Sequence, residues 1–128
     1  MTVDDFKTAA RIPASWVNEV EAVSSGFTAK RIELASARLD GRLRKRYAAP
    51  FTAGNVPIIV VEWLVAMVTA DVLIRRGVNP TDEQVQMHFD AAKRADEESL
   101  EAANAVTGLY DLPLRNDGTT GSGISLGG

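Results

Sequence analysis

Residues 58–74 read IIVVEWLVAMVTADVLI, and the reading of this stretch decides the fold. As a helix it is apolar on most of its circumference, so other elements have to surround it. It is slightly short for a bilayer span of about 20 residues, and Glu62 and Asp71 interrupt it. The expectation is therefore a central helix of a soluble bundle, over about 56–76. Asn55 and Pro57 suit its start. Arg75 and Arg76 suit the negative end of the helix dipole, and Gly77 suits a left-handed stop.

Helix signals extend in both directions from this segment. Upstream, Ala48-Ala49-Pro50-Phe51 is a break, because the residue before proline is pushed out of the α region. Before the break, Ile32, Ala35, Leu39, Leu43 and Tyr47 recur at steps of three or four, which predicts a helix over about 29–47 with Thr28 as its N-cap. Gly41 lies in its middle. It is either an exposed glycine tolerated at about 1 kcal/mol against alanine, or a point where a neighbouring backbone comes close. Pro13 suits the first turn of an earlier helix carrying Trp16, Val17, Val20 and Val23, ended by Ser24-Ser25-Gly26. Thr2 followed by Asp4 and Asp5 predicts a short helix over 3–10.

Downstream, Thr81 and Gln84 fit a capping box opening a helix over about 82–107. Val85, Phe89, Ala92, Ala103 and Val106 mark its buried stripe, and Gly108 stops it. Residues 116–128 are mostly Gly, Ser, Thr and Asn, a composition unable to offset its own ordering entropy. The reading is all-α: a small bundle of four to five helices over 1–108, with long central and C-terminal helices, and an extended Gly/Ser-rich arm over 109–128.

With 128 residues the chain fits one domain. Its 45% apolar and 24% charged residues are ordinary for a soluble globular protein. It has no cysteine, which excludes disulfides, thiolate metal sites and cysteine nucleophiles. The acids at Asp4 and Asp5, with no apolar run, do not read as a signal peptide.

Catalytic chemistry is sparse. His88 is the only histidine, and no partner stands at useful spacing, so it reads as solvent-facing or partly packed. The glycines at 118–128 lack the Lys-Ser/Thr pair of a phosphate loop. Glu62 and Asp71 are about two and a half turns apart and read as rim acids or partners of arginines. No catalytic, cofactor-binding or metal-ligating residue is assigned, and an enzyme is not expected.

Charge is unevenly placed. Residues 29–47 hold Lys30, Arg31, Arg38, Arg42, Arg44, Lys45 and Arg46 against Glu33 and Asp40, a balance of +5. Residues 81–101 hold Asp82, Glu83, Asp90, Asp96, Glu97, Glu98 and Glu101 against Lys93 and Arg94, a balance of −5. Arg31, Arg38, Arg42 and Lys45 share one helical stripe. These are two solvated faces, helices in contact within one subunit, or complementary faces of neighbouring copies. The last reading assigns Arg31, Arg38, Arg42 and Lys45 to one side of a subunit interface and Asp90, Glu97 and Glu101 to the other. The basic helix 29–47 also admits a nucleic-acid-binding reading, against which stand the acidic net charge of −3 and the lack of interleaved aromatics.

Small residues lead into an Arg/Tyr pair and then a proline in Ala35-Ser36-Ala37-Arg38-Leu39-Asp40-Gly41-Arg42-Leu43 through Arg46-Tyr47-Ala48-Ala49-Pro50-Phe51. The apolar helix follows. Then comes a long helix with Phe89 in its first third and an Ala-rich second half, ending in Gly108-Leu109 and Asp111-Leu112-Pro113-Leu114. In this order the pieces, from about residue 27 to 114, resemble the small head–tail connector (head-completion or adaptor) proteins of long-tailed phages and phage-like particles. The resemblance implies a dodecameric homo-oligomeric ring beneath the portal protein. It further implies a platform for a neck/stopper or tail-completion protein and a channel through which DNA passes without specific recognition. It implies no catalysis, no cofactor and no membrane. The place would be the virion's head–tail interface, reached from the host bacterium's cytoplasm during assembly. The arm would dock on a partner such as the portal, with Leu112, Leu114, Ile124 and Leu126 as apolar anchors.

Overall fold

The structure, a computed structural model, describes residues 1–51, 55–77, 79, 81–104 and 112. Among these are five α-helices and no β-strand: α1 (Val3–Ala9), α2 (Ala14–Val23), α3 (Phe27–Leu43), α4 (Ile58–Arg76) and α5 (Glu83–Asn104). The all-α reading holds.

The apolar helix α4 is the centre. Val60, Trp63, Leu64, Met67, Val68, Thr69, Ala70, Val72 and Leu73 are all buried, so no single face of it meets solvent along its length. α5, α3 and α2 cover it. Each large apolar side chain so removed from water contributes about 1.5–3 kcal/mol before entropy is counted. Phe6 from α1 and Val17 and Val20 from α2 join the same core, as does Ile12 between them.

The direction of packing follows from named contacts. Arg31, early in α3, pairs with Asp71, late in α4. Trp63, early in α4, donates its indole N–H to Glu98, late in α5. α4 is thus antiparallel to both neighbours. Arg42 reaches Asp96 and Ser99, and Tyr47 further along donates its hydroxyl to the Ala102 carbonyl, so α3 and α5 run the same way.

Helix starts differ from the sequence reading in instructive ways. Thr2 forms the expected cap, reciprocally with Asp5 as a capping box. Pro13 and Pro57 stand at the N-cap positions of α2 and α4, and neither helix has a side-chain cap, Asn55 included. Thr28 does not cap α3. The cap residue is Gly26 at φ 85°, and Thr28 lies buried in the first turn. The free amides are met from α2 instead: Glu21 accepts the Gly26 N–H at 3.0 Å and the Thr28 N–H at 2.9 Å. At α5, Asp82 rather than Thr81 accepts the Gln84 N–H, while Thr81 is turned to the Asn79 side chain.

α3 also ends earlier than the reading of 29–47, at Leu43, with a further turn in which the Tyr47 N–H bonds the Leu43 carbonyl. Gly41 is exposed, and a Cβ there would meet nothing within 4 Å, so it is the tolerated glycine and not a close approach. On α5 the fully buried positions are Val85, Ala95, Ser99 and Ala102; Phe89, Ala92 and Ala103 are half-buried. Small side chains let α5 approach α4 closely, which shifts the contact stripe from the bulkier positions. Val106, Gly108 and the end of the expected helix lie outside the described residues.

Candidate interaction surface

The basic stripe exists, and its tilt decides what each member does. The buried face of α3 carries Thr28, Ile32, Ala35, Leu39 and Leu43. At about 100° per residue, Arg31 and Arg42 lie roughly 20° and 40° from Arg38 toward that face, and Lys45 about 20° away from it. The two that lean inward bind inside the chain. Arg31 Nε is 3.0 Å from Asp71 Oδ2. Arg42 is 2.7 Å from Asp96 Oδ1 and donates to Ser99 Oγ at 2.9 Å. The two that lean outward, Arg38 and Lys45, are exposed and have no partner among the described residues. Arg31 and Arg42 thus fasten helices within the chain, and Arg38 and Lys45 face solvent.

On α5, Asp90, Glu97 and Glu101 fall within about 40° of one another, and all three are exposed. The stripe lies opposite Ala95, Ser99 and Ala102, which face α4 and α3. Asp90 and Glu97 have no ion pair among the described residues; Glu101 has an interaction.

Two concave features flank α5. One, of about 410 Å³, lies beside α4 and takes in Ala9 and Arg11 from the end of α1. Ala66, Ala91 and Ala95 line it, Glu62, His88 and Arg94 border it, and the Trp63–Glu98 hydrogen bond of 2.9 Å runs along its wall. His88 is half-buried there, and Glu62 is exposed. The second, of about 260 Å³, lies between α3, α4 and α5 on the side of Arg38. Among the described residues no group of three or more His, Asp or Glu side chains is placed to hold a metal ion. No described helix is long and apolar enough to cross a membrane.

No family model, curated protein or solved structure matches this chain.

Of the four expected arm anchors, Leu114, Ile124 and Leu126 lie outside the described residues. Leu112 is placed, and it departs from expectation: it is 5% exposed and belongs to the hydrophobic core, where burial outweighs its role as a free anchor. Sequence reasoning also missed the fastening of the N-terminal helices. Arg76 stacks over the Trp16 ring at 4.3 Å and reaches Glu19 at 3.3 Å, and Arg75 donates to Ser24. The expected role of these arginines at the helix dipole gave a hint of the position but not of the partners.

Proposed function

We propose that this chain is a structural, non-catalytic adaptor that joins the head of a tailed phage or phage-like particle to its tail. Identical copies form a collar beneath the portal, present a platform to the next neck or tail protein, and leave a passage for DNA. One observation carries the reading beyond the resemblance in element order: two exposed rows of opposite charge, Arg38 with Lys45 and Asp90 with Glu97, lack partners among the described residues. Such rows are what head-to-tail closure of identical subunits requires, since each copy must offer two different and complementary faces. The rigid frame behind them suits a scaffold, because its ion pairs and core hold Arg38, Asp90 and Glu97 on helices and Lys45 in the turn that closes α3.

The nucleic-acid reading loses ground on the same geometry. With Arg31 and Arg42 engaged by Asp71 and Asp96, the helix has fewer cations free for phosphates.

The test is electron microscopy of the purified protein mixed with its cognate portal ring. The expected outcome is an added annulus on the tail-facing side of the portal. Failure to bind the portal, together with a salt-dependent shift of labelled duplex at micromolar protein, refutes the adaptor in favour of a nucleic-acid module.

A further inference from the structure

The groove between α3, α4 and α5 has features that the charge rows alone do not explain, and the following rests on the collar reading above. One alanine from each helix lines it: Ala35 and Ala70, both buried, and Ala92, half-buried. These short side chains leave about 260 Å³ open. Leu34 stands at the rim, 42% exposed. Arg38 and Lys93 also line it, one from each flanking helix, and neither has an acidic partner among the described residues. Asp71 and Asp96 also line it but are held by Arg31 and Arg42, so an alanine floor flanked by two cations accepts an apolar side chain followed by a carboxylate.

The outer side of α5 offers that combination. Met87 is 59% exposed, and the unpaired acids Asp90 and Glu97 follow at steps of three and seven. On α3 and the turn that follows it the row runs Leu34, Arg38, Lys45, at steps of four and seven. Seven residues are about 10.5 Å along a helix, and the turn after Leu43, entered with helical backbone at Arg44, carries Lys45 on at a similar spacing. In parallel register both charges match and Met87 falls within one residue of Leu34. In antiparallel register the charges still meet, but Glu101 falls on Leu34 and Met87 is left beyond Lys45. The fold chooses between these. α3 and α5 point the same way within one copy, and rotation about an axis along the bundle preserves direction. A cyclic collar with that axis therefore sets the next copy's α5 parallel to α3, whereas a two-fold dimer across the bundle would set it antiparallel.

We infer that each copy seats the outer row of the next copy's α5 at this groove. Met87 of the next copy lies beside Leu34, its Asp90 meets Arg38 and Lys93, and its Glu97 meets Lys45. Lys93, on the acidic helix, is thereby part of the basic seat.

The absence of cysteine makes the register directly measurable. A Leu34→Cys/Met87→Cys variant is treated with a short bismaleimide, both free at high concentration and on the cognate portal ring. The expected result is a cross-linked ladder reaching the full ring. Leu34→Cys/Glu101→Cys reports the antiparallel register, and little product is expected from it. Adding Arg38→Glu and Lys45→Glu to the first variant should reduce the ladder about tenfold, and adding Asp90→Lys and Glu97→Lys as well should restore it. All four charged positions are exposed and unpaired, so unchanged circular dichroism is expected throughout. A ladder from the antiparallel pair, or none from the parallel pair in either condition, overturns the inference. Portal binding without the ladder removes this seat and leaves the adaptor reading; the ladder without portal binding does the reverse.

Discussion

Replacing Glu21 by alanine tests whether one helix starts the next. Both carboxylate oxygens are used, on the Gly26 and Thr28 amides, and α3 has no side-chain cap of its own. A cap of this kind contributes about 1–2 kcal/mol, toward the upper end when the acceptor is charged. For a chain of this length that is roughly 4–8 °C in Tm. Glutamine retains one acceptor oxygen while its NH2 group opposes the second amide, so Glu21→Gln should lose more than half of the effect. The effect should also depend on pH. Burial raises the Glu21 pKa, but the hydrogen bonds from Thr28 and Gly26 outweigh it, and the net position is below the ordinary value of 4.5. A depressed acid stabilises the fold fully above its unfolded pKa and loses that contribution as pH falls through the folded one. The gap between wild type and Glu21→Ala should thus be full near neutrality and shrink below about pH 4.5. Urea unfolding followed by far-UV circular dichroism across this range measures it. A gap within the ~0.5 kcal/mol of an ordinary surface substitution, or one that does not change with pH, would refute the reasoning.

Gly41→Ala should stabilise the protein by about 0.5–1 kcal/mol, because the site is helical, exposed and open to a Cβ; an unchanged or lower Tm would show a neighbour that the geometry does not contain. Tyr47→Phe removes a buried hydroxyl bonded to the Ala102 carbonyl at 2.8 Å and should cost about 1–2 kcal/mol in urea unfolding, with neutrality counting against that bond as a tie between α3 and α5.

What was legible in the sequence is what local pattern determines. α4 could be read because a helix apolar on nearly every side admits few solutions besides enclosure, and α1 because Thr2 and Asp5 act on each other three residues apart. The cap of α3 was not legible, since its acceptor, Glu21, sits seven residues before Thr28 on another helix. The basic stripe was visible as a stripe. Its division into inward and outward members was not, because a tilt of some tens of degrees against the buried face depends on how α3 lies on its neighbours. Leu112 misled because a Gly/Pro-rich neighbourhood suggested freedom for a residue packed in the core. The Trp63–Glu98 bond joins residues 35 positions apart and has no local signature.

Enclosing α4 has a consequence for how such a molecule changes over time. The residues that keep the shape belong largely to an inner helix with most of its side chains turned into its own chain, while those most available to other proteins sit on the outer sides of its neighbours. A lineage is then free to exchange one set of contacts for another, charge by charge, without reopening the interior. Relatives in this arrangement would be expected to keep their architecture long after their surfaces, and most of their letters, have diverged.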